Sequence, residues 1–267
     1  MSTSDNEDLL AAIRLIAERA GKVILAYYAE GDDIEIRQKD DSSPVTAADE
    51  AAEELILEML RTLTPDVPIV SEEAASAGDI PDVSSRFWLV DPLDGTKEFI
   101  NRNGEFTVNI ALIENGQPVA GVVHAPALAM TWAGATADAL EGDAPAIAHF
   151  SETDKPTMDI RAREIPAEGA TVVASRRHGS GEALDNFLAD YKVKDMRSAG
   201  SSLKFCLVAT GKADLYPRFG RTMEWDTAAG HAVLRAAGGK VDTAEGVPLV
   251  YGKSGFENPY FIARGRS

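Results

Sequence analysis

Cysteine is almost absent from this chain of 267 residues, which has Cys206 as its single example. One cysteine excludes an intramolecular disulfide and a zinc cluster of several cysteines, and it favours a reducing compartment, here the cytoplasm. Long apolar runs are also missing, since none approaches the roughly 20 residues that a membrane-spanning helix needs. We therefore expect no transmembrane segment, while peripheral association with the inner membrane and the oligomeric state stay open.

Basic residues are scarce, because 26 lysines and arginines stand against 43 aspartates and glutamates, for a net charge of −17. This balance argues against non-specific binding to nucleic acid or to an anionic membrane surface. A small anionic substrate would need a local counter-charge, from metal ions or from a basic pocket. With 45% hydrophobic and 26% charged residues, the chain can bury a sizeable core in one large domain or two small ones.

The spacing of apolar residues changes along the chain. Helical periodicity and alternating runs, with an Asn-Gly hairpin signal at 115–116, predict helices and a mainly antiparallel sheet in residues 1–155. Strands and helices then alternate, which predicts a smaller α/β half over residues 156–267. Between about 133 and 156 the periodicity is lost, so we expect strand ends, turns and a domain crossover there. The predicted helices span 8–29, 46–63 (or 49–63, since Thr46 or Asp49 could open it), 182–191, 203–210 and 226–237, and the predicted strands span 34–37, 67–70, 87–90, 106–113, 118–124, 171–174, 213–216, 240–242 and 260–263.

One short segment, Asp91-Pro92-Leu93-Asp94-Gly95-Thr96, follows the buried strand predicted at 87–90. Pro92 fixes one backbone angle and Gly95 frees the next turn, so the two carboxylates and the Thr96 hydroxyl can converge on one point. Oxygen ligands of this kind suit a hard metal ion. The geometry favours Mg²⁺.

Further acids lie where a predicted strand ends or a helix begins, namely Glu72, Asp226 and, on the second helix, Asp49. Any one of them could simply cap a helix. Together with the two acids of segment 91–96, however, Glu72 and Asp226 make a set of four carboxylates that suits two or three Mg²⁺ ions and a substrate phosphate.

Two other sites built on acids do not fit the spacing. An EF-hand needs acids at alternating positions, and Asp91, Leu93 and Gly95 do not provide them. A phosphatase with an aspartyl nucleophile needs acids separated by one residue, whereas two residues separate Asp91 from Asp94. The spacing therefore favours an activated water over a covalent intermediate.

These motifs resemble the inositol monophosphatase superfamily, which combines an acid-Pro-x-Asp-Gly-Thr segment with a later Trp-Asp, here Trp225-Asp226. Within it, the chain most resembles the CysQ branch, the 3′(2′),5′-bisphosphate nucleotidases. The stretches that carry this resemblance are WLVDPLDGTKEFINRNGEFTVNIALI, SSLKFCLVATGKADLYPRFG and EWDTAAGHAVLRAAGG. The resemblance covers nearly the whole chain and implies a layered αβαβα sandwich of the α+β class.

The resemblance also implies roles for the acids. Glu72 and the Leu93 carbonyl would bind one metal ion, Asp91 would bridge two ions, and Asp94 and Asp226 would complete the second site. All of these except Asp91 would also lie against the substrate.

Water activation would fall to Asp49 and Thr96, with Glu72 as a further catalytic residue. Asp49 would hold the Thr96 hydroxyl as acceptor, so that the attacking water is oriented and deprotonated for in-line attack on phosphorus. The backbone amides of Gly95 and Thr96 would hold the phosphate oxygens.

Nucleotide recognition would fall to the second half of the chain. Residues 175–178 are similar to a Ser-Arg-Ser-His segment in which the first serine and the histidine, here Ser175 and His178, approach the nucleotide; the third position departs from it as Arg177. Gly200, Lys204 and Arg218 resemble residues that meet the second phosphate and the sugar. Cationic side chains suit that task in an acidic protein.

The activity implied is that of a Mg²⁺-dependent phosphomonoesterase that converts adenosine 3′,5′-bisphosphate to AMP and phosphate. The sulfated analogue, 3′-phosphoadenylyl sulfate, is a second candidate substrate, and a role in sulfur assimilation and sensitivity to lithium follow from the same resemblance. An inositol-1-phosphate or sugar phosphatase with the same metal site is the nearest alternative. A non-catalytic nucleotide or metal sensor is a third, which the water-activating Thr96 disfavours.

Overall fold

The structure, a computed structural model, describes residues 3–29, 36–38, 44–136, 146–153, 155–175 and 181–266. The helices are α1 (Thr3–Ala29), α2 (Ala47–Leu63), α3 (Glu72–Ser76), α4 (Thr96–Ile100), α5 (Glu182–Leu188), α6 (Leu203–Ala209) and α7 (Glu224–Ala236). The strands are β1 (Ile36–Gln38), β2 (Pro44–Thr46), β3 (Ile69–Ser71), β4 (Arg86–Asp94), β5 (Thr107–Glu114), β6 (Gln117–Ala125), β7 (Met130–Ala135), β8 (Ile147–Glu152), β9 (Met158–Asp159), β10 (Ala170–Ala174), β11 (Val193–Ser198), β12 (Leu215–Arg218), β13 (Lys240–Thr243) and β14 (Phe261–Arg264).

Two main sheets and three layers of helices make up the fold. The seven-stranded sheet has the order β3-β4-β5-β6-β7-β8-β9 and is antiparallel except for the parallel pair β3–β4. The five-stranded sheet has the order β11-β10-β12-β14-β13 and mixes both directions. Helices α1 and α2 cover the outer face of the first sheet, α6 and α7 lie between the sheets, and α5 packs outside the second. The predicted αβαβα layering is confirmed.

Strand β4 lies between two apolar layers, which explains its continuous apolar run. Phe87 and Leu89 belong to the core shared with α6 and α7, whereas Trp88 and Val90 belong to the core beneath α1 and α2. A strand covered on both faces needs apolar side chains at every position. Each large side chain buried in this way contributes about 1.5–3 kcal/mol to folding.

Helix α7 approaches the first sheet closely, because two strands present glycines to it. A Cβ on Gly121 would lie 2.8 Å from the Ala232 Cβ, and one on Gly134 would lie 2.9 Å from the Ala236 Cβ. Both distances are shorter than a normal contact between carbon atoms. The glycines therefore set the depth of α7, whose first turn carries Asp226.

Sequence patterns missed several strands. Strands β7 and β8 lie partly or wholly in the interval 133–156, where strand ends, turns and a domain crossover were predicted but no complete strand, and β11 was not predicted at all. The side chains of β11 are mostly exposed because it lies at the sheet edge, so the strand lacks an apolar pattern. The division of the chain at residue 155 stays a prediction. Among the described residues, no helix is long and apolar enough to cross a membrane.

Candidate active site

The predicted metal-binding turn is part of strand β4 rather than a loop that follows it. Asp91 pairs with Asn109 on β5 and Asp94 pairs with Thr107, so β4 has one residue more than β5 between these pairs. An extra residue of this kind is a β-bulge, which bends the strand and redirects its side chains. The bulge is closed by the Leu93 amide, which donates to Asp91 Oδ1 at 3.1 Å.

The Asp49 carboxylate is buried and connects the start of α2 with segment 91–96. Its Oδ2 accepts hydrogen bonds from the Thr46 amide at 2.8 Å and from the Thr46 hydroxyl at 2.6 Å, which caps the helix. Its Oδ1 accepts from the Thr96 hydroxyl at 3.1 Å, and the Leu93 carbonyl lies 3.3 Å from the same hydroxyl. The hydroxyl proton of Thr96 therefore points toward Asp49 and Leu93. The lone pairs of the Thr96 oxygen stay available to accept a proton.

Gly95 makes the sharp turn between β4 and α4. Its φ of 92° lies in the left-handed region, which favours glycine. A Cβ at this position would also lie 2.2 Å from the Ser201 Oγ. Only glycine fits here, and it places Thr96 at the first position of α4.

Three acids from separate elements converge beside this turn. Carboxylate oxygens of Glu72, Asp91 and Asp226 lie within 4.8 Å of one another. Burial, followed by the charges of Glu72, Asp94 and Asp226, raises the pKa of Asp91 well above its ordinary value. Burial and then the charges of Asp94 and Glu72 raise the pKa of Asp226 to about 8. The acids destabilise one another as anions, so the cluster favours a bound cation.

Asp94 lies at the edge of this cluster and has its own hydrogen-bond partner. The Asn109 side-chain amide is 3.3 Å from Asp94 Oδ2 and 3.1 Å from the Ser202 Oγ, to which it also donates. Burial raises the pKa of Asp94 to about 6, although the Lys204 charge and the Asn109 hydrogen bond oppose the rise.

Two consecutive serines connect the two halves of the site. The Ser201 Oγ lies 2.8 Å from the Asp94 carbonyl oxygen, and the Ser202 Oγ donates to the Asp226 carbonyl oxygen at 2.8 Å. The Gly200 amide, next to them, donates to Glu105 Oε2 at 2.7 Å. The segment before α6 therefore fixes the main chain at both Asp94 and Asp226.

A pocket of about 180 Å³ opens beside the acids. Lys204 is buried in its wall, and its ammonium donates to the Ala199 carbonyl at 3.2 Å and to the Ser201 carbonyl. Burial lowers the pKa of Lys204 to about 8, against the charge of Asp94. Arg218 also lines the pocket, and among the described residues its buried Nε has no hydrogen-bond partner. A phosphate oxygen is an acceptor that such groups bind.

The structure brings most of the predicted residues together. The pocket is lined by Asp94, Gly95, Ser175, Gly200, Lys204, Arg218 and Asp226, and Glu72, Asp91, Leu93, Thr96 and Asp49 adjoin it through the contacts above. His178 lies outside the described residues. Sequence patterns missed Asn109, which looks like an ordinary residue of an apolar strand, and the separate roles of Ser201 and Ser202. Asn109 could have been identified as a polar amide within the apolar run of the strand predicted at 106–113.

The donor set fits a hard divalent cation. It consists of oxygens alone, from the buried Asp91 on β4, from the partly buried Glu72 on α3 and Asp226 on α7, and from the carbonyl of Leu93. The raised pKa values of Asp91 and Asp226 mean that the metal-free cluster keeps protons up to near-neutral pH, which relieves the mutual repulsion. A divalent cation relieves the same repulsion by replacing those protons.

Known proteins resemble this chain over nearly its full length. A model of the inositol monophosphatase family matches residues 5–260. The 3′(2′),5′-bisphosphate nucleotidase CysQ of Salmonella typhimurium is 49% identical over 254 residues, which are 95% of this chain and 98% of that protein. CysQ of Escherichia coli strain K12 is 47% identical over the same shares of the two chains.

Solved structures of this family superpose on the chain. CysQ from Bacteroides thetaiotaomicron, a bacterial member of the inositol monophosphatase family, gives a TM-score of 0.78 at 37% identity and covers 98% of both chains. The inositol monophosphatase of Anabaena gives a TM-score of 0.72 at 26% identity, over 98% of this chain and 92% of that one.

Proposed function

The chain belongs to the inositol monophosphatase family, and we propose that it is a Mg²⁺-dependent 3′(2′),5′-bisphosphate nucleotidase that converts adenosine 3′,5′-bisphosphate to AMP and phosphate. The observation that carries this proposal is the lining of the pocket. It contains two of the acids, Asp94 and Asp226, together with the cationic side chains of Lys204 and Arg218. The similarity to CysQ proteins along 95% of the chain supports the same substrate class. The sulfated analogue, 3′-phosphoadenylyl sulfate, is proposed as a second substrate.

The metal site is proposed to hold two or three Mg²⁺ ions. Glu72, Asp91 and the Leu93 carbonyl would hold one ion, and Asp91, Asp94 and Asp226 would hold a second. When bound, Mg²⁺ neutralises charge that develops on the phosphate and lowers the pKa of water. The near approach of Glu72, Asp91 and Asp226 supports a shared acidic site around Asp91, with one further acid from each of the two proposed sets.

The protein's own groups would orient and deprotonate the attacking water. The Thr96 hydroxyl donates to Asp49, so it can pass its own proton to that carboxylate while its oxygen accepts the proton of the attacking water, whose oxygen bonds to phosphorus. The bond from phosphorus to the 3′-oxygen of the ribose would break, and that oxygen would take up a proton from solvent water. Gly95 and Thr96, at the start of α4, would hold the phosphate oxygens through their amides.

The second phosphate is assigned to the cationic side of the pocket. Lys204 and Arg218 would bind it, while Ser175 and Gly200 in the same wall, with His178, would contact the sugar and base. A cytoplasmic location and a role in sulfur assimilation remain predictions of the family resemblance.

A panel of substrates tests the proposal. Phosphate release with Mg²⁺ is measured side by side from adenosine 3′,5′-bisphosphate, inositol-1-phosphate and fructose-1,6-bisphosphate. We expect the highest kcat/KM for the nucleotide. Preference for inositol-1-phosphate would assign the chain to a different branch of the family, and no release from any of the three would overturn the enzymatic function.

A further inference from the structure

A buried ion pair lies two residues before Asp226. Glu224 begins α7 and has no exposed surface, although it is ionisable. Its Oε2 accepts from the Gly252 amide at 2.7 Å, and its Oε1 accepts from the Lys253 amide at 2.9 Å and lies 2.6 Å from the Lys253 ammonium. A carboxylate is buried without large cost only when its oxygens are satisfied in this way.

A second contact joins the same two segments. The Asn258 side-chain amide donates to the Met223 carbonyl at 2.8 Å and to the Thr227 hydroxyl at 3.0 Å, and its backbone amide donates to the Thr222 carbonyl at 2.9 Å. The Lys253 ammonium also lies 3.2 Å from Asn258 Oδ1. Residues 252–258 therefore enclose the first turn of α7.

That turn carries Asp226 and brings it close to two other acids. The carboxylate of Asp226 accepts from the Met223 amide at 2.8 Å, so the Asp226 side chain is fixed relative to the start of the helix. Its carboxylate also lies within 4.8 Å of those of Glu72 and Asp91. The position of the first turn of α7 therefore determines where Asp226 lies relative to the other acids.

We propose that Glu224, Lys253 and Asn258 form a positioning latch that holds Asp226 in the metal site. The latch rests on the proposed metal-dependent function, but it concerns residues outside the proposed metal and substrate contacts. None of them belongs to the pocket described above. Loss of the latch is expected to weaken metal binding, in addition to lowering stability.

The test uses the purified full-length protein and Mn²⁺ as a probe. Mn²⁺ binding to wild type, Lys253→Met, Lys253→Arg and Glu224→Gln is measured by electron paramagnetic resonance, with the thermal midpoint recorded in parallel. Lys240→Met is the matched control, because it breaks a different lysine–carboxylate pair, with Asp242 at 3.4 Å, outside this region.

We expect Lys253→Met and Glu224→Gln to weaken Mn²⁺ binding roughly tenfold or more, the range seen when a supporting partner of a metal ligand is lost. Lys253→Arg restores most of the affinity because it keeps the charge, and Lys240→Met binds like wild type. A lower thermal midpoint with unchanged Mn²⁺ affinity in both latch variants would overturn the latch. If Lys253→Met does not fold, Glu224→Gln, which has the same shape as the native residue, decides by the same criterion.

The latch and the proposed function can fail separately. If the wild-type protein binds Mn²⁺ but hydrolyses none of the three substrates, the proposed nucleotidase activity is wrong. The Mn²⁺ titration of the variants still decides whether the latch exists. An active wild type with latch variants of unchanged Mn²⁺ affinity contradicts only the latch.

Discussion

The Thr96 hydroxyl donates to Asp49 Oδ1 at 3.1 Å, although 47 positions of the sequence separate the two residues. The other oxygen of Asp49 caps helix α2 through Thr46. A single carboxylate therefore has a structural bond and a bond to the proposed water-activating hydroxyl. Their separate contributions can be measured, because different substitutions remove each one.

Replacement of Asp49 by asparagine tests the proton path. The amide can still accept from Thr46, but it is a much weaker proton acceptor, so we expect kcat to fall by about 10²–10⁴, the usual contribution of general acid–base catalysis. Thr96→Val, which lacks the hydroxyl, should show a similar loss, whereas Thr96→Ser should retain most of the activity. Steady-state kinetics at saturating Mg²⁺ measure these effects. A kcat in Asp49→Asn within a few-fold of wild type would remove Asp49 from the proton path.

The acid cluster makes the stability of the metal-free protein depend on pH. The folded-state pKa of Asp226 is about 8 and that of Asp94 about 6, both above the ordinary value of 3.8. Between pH 4 and 8 the folded protein therefore binds more protons than the unfolded chain. Stability from these groups is complete below pH 4 and is lost as pH rises through 6 and 8.

We expect the thermal midpoint without metal to fall between pH 5 and pH 8.5, and Mg²⁺ to reverse most of the fall. Asp226→Asn removes one of the repelling charges, so the metal-free variant should be more stable than wild type at pH 8 and should gain less from Mg²⁺. Differential scanning calorimetry with and without a chelator measures both. The electrostatic account would be contradicted if the thermal midpoint of metal-free wild type rises over this pH range. It would also be contradicted if Mg²⁺ raises the midpoints of wild type and Asp226→Asn by the same amount.

Local sequence patterns predicted the metal-binding segment but not its supports. Residues 91–96 hold two acids, a proline, a glycine and a threonine in one turn, so their chemistry is visible at short range. Asn109, Glu224 and Lys253 act through contacts made across the fold, and in the sequence they resemble ordinary strand, helix and loop residues. The end of β4 was misplaced for a related reason, since only pairing with β5 shows that the strand continues through a bulge to Asp94.

Asn109 is expected to position the two acids that it lies between. Its amide reaches Asp94 directly and reaches the main chain of Asp226 through the Ser202 hydroxyl. Asn109→Leu has a similar volume but leaves both acceptors without this donor, which costs about 1–3 kcal/mol of stability when a buried group loses its partner. We also expect roughly 10–100-fold weaker metal affinity. Isothermal titration with Mn²⁺ and urea unfolding measure the two effects, and an unchanged metal affinity would reduce Asn109 to a structural role.

The proposed role of Lys204, binding of the second phosphate, can be tested separately from the chemistry at the first. Its ammonium is buried in the pocket wall and is held by the Ala199 and Ser201 carbonyls, so it has a fixed position rather than the freedom of a surface lysine. Lys204→Met keeps the aliphatic stem and removes the charge. We expect KM for adenosine 3′,5′-bisphosphate to rise about tenfold or more, because a charge-assisted hydrogen bond contributes roughly 1.5–3 kcal/mol. For adenosine 3′-monophosphate, which lacks the second phosphate, KM should change much less. An equal loss for both nucleotides would place Lys204 beside the reacting phosphate instead, where its proximity to Asp94 would then matter more than its contact with the second phosphate.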